Sequence, residues 1–265
     1  MLLALVLKVK SQKTEEYLHC YFKEINFSVT DLGPQYSCQI LRSNINSNNS
    51  ITKLFGNHTP NLTNNDVMQY VMDYTASTFL PTNLYSFLPN LKLLAVRSSS
   101  VQFINRVNFV GFKNMQYLSL SDNNIETISS DTFMDLTSVV MINLRKNLLR
   151  TLHKDLFKNN ILLKTLHLEA NRIKTIPSDM FNHLKNLISV DLRNNNCLDN
   201  IYYNFILITI QEAIQDDLDD NTCVIVKEAS SGSKVKHIIT IVMIIVILLL
   251  FIELTCFVHK LKKIK

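Results

Sequence analysis

Apolar residues recur through the middle of the chain in a pattern that fits neither common periodicity. In residues 166–176, LHLEANRIKTI, Leu166 and Leu168 alternate as strand residues do, but Ile173 and Ile176 break the period of two. Asn171 sits between the two pairs. The same order returns as Leu118, Leu120, Asn123, Ile125, Ile128, as Ile142, Leu144, Asn147, Leu149, Leu152, and as Val190, Leu192, Asn195. An earlier copy runs Leu94, Val96, Ser99, Val101, Ile104, with serine in place of asparagine. Each step is 24 residues with no insertion, and an aromatic keeps the same step at Tyr85, Phe109, Phe133, Phe157 and Phe181. PTNLYSFLPNL (81–91) aligns with PSDMFNHLKNL (177–187) and extends the repeat toward the N-terminus. The pattern predicts one short strand per copy and excludes a helical array, which would need apolar residues three and four apart.

This register resembles the extracellular-type leucine-rich repeat family, as found in small insect single-pass membrane proteins. The resemblance implies an α/β solenoid: an arc of short parallel strands, each followed by a turn and an irregular or short helical return. One repeat cannot bury its apolar face alone, so stacked neighbours share a continuous core. It further implies that Asn123, Asn147, Asn171 and Asn195 turn inward and bond backbone groups of the turns, because a buried unpaired amide costs about 1–3 kcal/mol.

The net charge of +5 is misleading, since residues 227–265 hold seven lysines and two acids and account for all of it. The rest of the chain is balanced, so nothing in it asks for a nucleic acid. MLLALVLKVKSQ (1–12) reads as a signal peptide over 1–11, with Val9 and Ser11 at the −3 and −1 positions of a cleavage site. The run is short and lacks a basic start, which leaves open whether the N-terminus is complete. Residues 238–258 are uninterrupted by charge except at Glu253 and span roughly 31 Å as a helix, a bilayer core. The signal peptide sets the expected orientation, repeats outside and HKLKKIK (259–265) inside, since Lys227, Lys234 and Lys236 on the other flank offset the charge of the tail. SSGS (230–233) is too close to the apolar run for a glycolipid anchor. Glu253 is a candidate contact for a partner helix, as intramembrane carboxylates are costly when alone.

A solenoid of this kind needs caps at both ends. The expected organisation is an N-terminal cap over 12–66, repeats over 67–196, a C-terminal cap over 197–226 and a juxtamembrane linker over 227–237. Cys20–Cys38 and Cys197–Cys223 are the expected disulfides, one in each cap. FILITIQEAIQDDL (205–218) places Leu207, Ile210, Ile214 and Leu218 on one helical stripe suited to covering the last repeat. Sequons at Asn26, Asn48, Asn57 and Asn61 all precede the regular repeats, leaving the strands bare of glycan.

No catalytic constellation is visible. The seven histidines are scattered without ligand spacing, and four glycines leave no room for a phosphate loop, so neither enzyme, metal nor cofactor is expected. A binding module fits better. Residues flanking the buried apolars of each strand point to the concave face, which five or six strands make roughly 25–30 Å wide. Its centre is expected to hold the ligand contacts: Tyr117, Met141, Asn143, Arg145, Thr165, His167, Glu169 and Arg193. Mixed aromatic and arginine contacts of this kind mark interface cores.

The expectation is therefore a type I single-pass protein of the plasma membrane whose repeats bind a protein ligand. It would serve as an adhesion protein, co-receptor or ligand trap in development or innate immunity. The alternative is a structural or chaperone-like protein held in the endoplasmic reticulum membrane by the dilysine-like pair Lys262–Lys263. Changing both lysines to serine separates the two. Unchanged surface biotinylation is expected for a surface protein, and a several-fold rise marks retrieval.

Overall fold

A computed structural model of the chain describes residues 17–27, 30–44, 51–177, 179–196 and 199–203. The signal peptide, Asn48, Cys197, Cys223, the stripe 205–218, the apolar span and the basic tail lie outside the described residues. Among the described residues no helix is long and apolar enough to cross a membrane.

The repeats supply one strand each: β4 Gln69–Asp73, β5 Leu93–Arg97, β6 Tyr117–Ser119, β7 Met141–Asn143, β8 Thr165–His167 and β9 Ser189–Asp191. They pair in parallel with a constant register, Gln69, Leu93, Tyr117, Met141, Thr165 and Ser189 standing side by side. Three cap strands, β1 Tyr17–Asn26, β2 Pro34–Asn44 and β3 Lys53–Phe55, continue the sheet beyond β4, and β10 Ile201–Tyr203 closes the other side antiparallel to β9. The returns differ from the α/β expectation. Among the described residues the only α-helix is Leu84–Phe87 (α1), alongside two 3-10 turns at Asn64–Asp66 and Arg106–Asn108. The rest of each return is made of turns, so the fold is a parallel-strand β-solenoid. A 24-residue step that must include a strand and two corners leaves no room for a helix of useful length.

One apolar core runs from Leu18 in the cap to Tyr202 in β10. In each turn the strand residue, its follower and the two later apolars point into it, as with Leu166, Leu168, Ile173 and Ile176. Phe133 lies between Phe109 and Phe157, at ring-centroid distances of 5.6 and 6.1 Å, and forms a spine behind the sheet. Tyr85 does not join that spine despite its place in the 24-residue step. Leu84 fills the core instead, and the Tyr85 ring lies outward against Gly111, where an added Cβ would stand 2.5 Å from the ring. Gly111 also takes a left-handed φ of +94°, so glycine is needed there twice over.

Each asparagine of the ladder bonds two turns at once. Asn147 Nδ2 donates to Leu144 O of its own turn and to Leu120 O of the turn before, at 3.0 and 2.9 Å, while Oδ1 accepts from Ile125 N at 3.1 Å. Asn123, Asn171 and Asn195 repeat these contacts one step apart. Ser99 stands in with a hydroxyl that lies 3.3 Å from Met72 O of the preceding turn and 2.8 Å from Arg97 O and accepts from Thr75 N at 3.3 Å, but it has one donor hydrogen where the amide has two, so the ladder is thinner at that end.

A second ladder was not visible in the sequence. The residue that leaves each strand corner is left-handed: Tyr74, Ser98, Asp122, Lys146, Ala170 and Asn194, with φ between 50 and 56°. Such a conformation costs roughly 1–2 kcal/mol in a non-glycine residue. For the first five the backbone N–H donates to a carbonyl of the next turn, at 2.8–3.2 Å, and this bond helps offset the strain.

Cys20 in β1 and Cys38 in β2 form a disulfide across the cap hairpin, with their Cα atoms 5.1 Å apart. Both are buried in the shared core, which ties the cap to the first repeat.

Asn147→Ala and Asn171→Ala are each expected to lower unfolding free energy by about 1–3 kcal/mol, because a buried backbone N–H, of Ile125 or Leu149, loses its acceptor and two buried carbonyls each lose one of two donors. Ser99→Ala, which removes fewer bonds, should cost less. Urea denaturation followed by circular dichroism checks both the size and the order.

Candidate functional site

The side chains that alternate with the core-facing ones form the other face of the sheet, the face expected to be concave. The cap divides it. Between β1 and β2 the chain reverses direction, and this hairpin tip folds onto β5 and β6. Phe27 and Leu32 pack against buried Leu93, Ala95 and Tyr117, together with Val140 and Met141. The Tyr117 hydroxyl donates to Asp31 Oδ1. The guanidinium of Arg97 lies 5.0 Å from the centroid of Phe27 and is itself held by Asp73 at 2.6 and 2.8 Å. The hydrogen bonds it donates to Asp73 hold the Arg97 guanidinium above its ordinary pKa, against the opposing effect of burial. Tyr117, expected as a ligand contact, is thus occupied by the protein's own cap and only 8% exposed.

The remaining expected contacts share the open side, on β7 to β9. Met141, Asn143, Thr165, His167 and Glu169 are half-buried, and Arg145 and Arg193 are exposed. Register places Asn143, His167 and Asp191 side by side. Asn143 and Asp191 do the same local work: each side-chain oxygen accepts the backbone N–H two residues on, from Arg145 at 3.0 Å and Arg193 at 3.1 Å. These bonds fix the corners from which both arginines project.

Charges on this side are matched within the protein. Arg193 grips Asp191 through Nε and Nη2 at 3.0 and 2.7 Å. Arg145 Nε stands 3.6 Å from Glu169 Oε1, and His167 Nδ1 stands 3.6 Å from Glu169 Oε2. Glu169 Oε2 is buried without a hydrogen bond. His167, Glu169 and Asp191 bring three potential ligand atoms within 4.8 Å of one another. Both carboxylates already face guanidinium groups, so the cluster is built as an ion-pair network and not as a set of free metal donors. Burial pushes the Asp191 carboxyl upward, but the Arg193 side chain and backbone N–H, with His167 beyond, outweigh it and hold the group below its usual range.

Sequence reasoning placed the open-side residues on one face but missed Phe27, Asp31 and Leu32. They lie outside the repeat, and only the unexplained apolars of NFSVTDLG (26–33) could have signalled a contact. The described sequon residues Asn26, Asn57 and Asn61 are all exposed.

The leucine rich repeat family model matches residues 89–149 and 139–197. No curated protein matches the chain. Among solved structures, the TLR13–ssRNA13 complex is similar at 25% identity and a TM-score of 0.47, over 49% of this chain and 18% of that one. The Toll–Spatzle complex of Drosophila is similar at 22% identity and a TM-score of 0.40, over 54% of this chain and 26% of that one. The leucine-rich repeat domain of APL1B gives 18% identity and a TM-score of 0.42, over 45% of this chain and 36% of that one. The chain therefore spans 18 to 36% of these neighbours' own lengths.

The lowered pKa of Asp191 predicts a pH effect. A carboxylate depressed in the folded state adds stability above its unfolded value of about 3.9, and that stability is lost as pH falls through the folded value. The loss of melting temperature from pH 5 down to pH 2 is expected to be shallower in Asp191→Asn than in the wild type, as thermal unfolding across that range will measure.

Proposed function

The repeat region of this chain is a leucine-rich repeat domain, and on that premise we propose that it binds a protein ligand on the open side of its sheet. The observation that carries the proposal is the division of the face. The cap tip covers the apolar side at Leu93, Ala95 and Tyr117. This leaves Asn143, Arg145, Thr165, His167, Glu169 and Arg193 as one tract accessible from solvent. Its charges are paired in advance, so a partner meets arginines held in place and loses little side-chain freedom on binding. Because the pairs are partly exposed, they favour selection of a complementary partner over raw affinity.

Three strands are only about 14 Å across at the usual parallel spacing. A stable interface buries about 800 Å² per partner, so the ligand also reaches the strand ends, where Lys146 pairs with Asp122 at 3.1 Å. In this reading the protein acts at the plasma membrane as a single-pass adhesion protein, co-receptor or ligand trap. The second reading, a structural or chaperone-like protein of the secretory pathway, rests on Lys262 and Lys263 alone.

Arg145→Glu combined with His167→Glu is expected to weaken capture of the partner recovered with residues 12–226, while circular dichroism shows the fold intact. Lys158→Glu, on an exposed return, should leave capture intact. Equal capture by all three proteins would move the site off the sheet face.

A further inference from the structure

Charge balances over residues 1–226 as a whole but not along them. Residues 67–138 hold four basic and five acidic side chains, whereas residues 139–186 hold nine basic and three acidic ones. Ion pairing follows the same division. Arg97 and Arg106 of the earlier turns are bonded to Asp73 and Asp135. Of the lysines and arginines in the later turns, only Arg145 and Lys146 pair with an acid among the described residues. The others stand free in solvent.

Three of these unpaired cations converge on one flank. Past the ladder asparagine each turn has an inward apolar residue, Leu149 in one turn and Ile173 in the next, both fully buried. Arg150, Arg172 and Lys174 adjoin them in sequence and are exposed. The Arg172 N–H donates to Leu149 O at 2.8 Å, which sets the two segments side by side. Arg150 and Lys174 hold the same place in consecutive turns, one step of about 4.8 Å apart at the sheet. In the two turns before, that place is taken by Gln102 and Glu126, so the basic run begins at Arg150. Thr151 and Thr175, the next residues, are also exposed and add hydroxyl donors.

The makeup of the flank selects its ligand. None of residues 148–152 or 172–176 is an exposed large apolar or aromatic side chain. The flank therefore lacks the apolar centre of a protein interface and the stacking platforms that hold single-stranded nucleic acid. What it offers is fixed positive charge with hydroxyl donors, and the arginine fork matches oxyanions bidentately. The Cys20–Cys38 disulfide and the exposed sequon residues Asn57 and Asn61 suit an oxidising, extracytoplasmic setting, where the linear polyanions are sulfated polysaccharides. We propose that Arg150, Arg172 and Lys174 form a second binding site, for a sulfated polysaccharide. The corners at Lys146 and Ala170 separate it from the sheet face, so it uses none of the residues of the protein-ligand tract.

Binding of fluorescent heparin to the purified full chain, followed by anisotropy at about 0.15 M salt, tests this. The triple variant Arg150→Ser, Arg172→Ser, Lys174→Ser is expected to raise the apparent Kd at least tenfold. The control triple Lys158→Ser, Lys164→Ser, Lys185→Ser removes the same charge from the same turns and should change it less than twofold. All six side chains are exposed, so both variants should keep the circular dichroism of the wild type. The lysines of 227–265 stay in every protein, so a difference between the variants reads the flank. The proposal is overturned if the two triples lose affinity equally, because net charge alone would then account for binding, or if neither loses any. It is also overturned if fully desulfated heparin binds as tightly as heparin. Single-stranded DNA of matched length that binds more tightly than heparin, and is lost in the flank variant, would overturn it in favour of a nucleic acid.

Discussion

The buried asparagine amide is the constraint on which the rest of this protein depends. A corner that follows a three-residue strand leaves backbone N–H and C=O groups pointing inward, where water cannot reach them. One side chain with two donors and an acceptor satisfies the groups of its own turn and of the turn before, as Asn147 does with Leu144, Leu120 and Ile125. That double attachment fixes the distance between turns, and therefore the register of the strands. The register in turn sets which side chains share the open face. Function in this molecule is a consequence of how polar backbone is kept satisfied inside an apolar stack.

The same logic explains the left-handed corners. Six residues of different types adopt a conformation that glycine would take more easily. The structure sustains them because at five of these corners the N–H reaches a carbonyl of the neighbouring turn. The corner can thus carry charged side chains, and Lys146 and Asp122 use it to form an ion pair at the edge of the face. A glycine there would relieve strain and remove that pair.

What could be read from the sequence was whatever repeats. The 24-residue step located the strands, the asparagines and the face-pointing positions, because each is enforced by the same packing in every turn. Features that occur once were hidden. The cap tip, with Phe27 and Asp31 against Arg97 and Tyr117, has no counterpart in other turns, and so Tyr117 read as an open contact. Tyr85 kept the aromatic step but turned outward, since Gly111 offers a resting place that no other turn has. The left-handed corners escaped for the opposite reason: they recur without any shared residue type. The returns were expected to be irregular or short helical, and among the described residues all but Leu84–Phe87 and two 3-10 turns are irregular or turns.

The central claim is that the cap reserves one side of the sheet for itself and leaves β7 to β9 for a ligand. Photocrosslinking from single positions on the full chain, displayed by cells that carry the ligand, tests it directly. A benzophenone residue placed at Asn143 or Thr165 is predicted to capture another protein, whereas one at Ala95, under the tip, should link only within the chain. Capture of a partner from Ala95 but not from Asn143 or Thr165 would contradict the account.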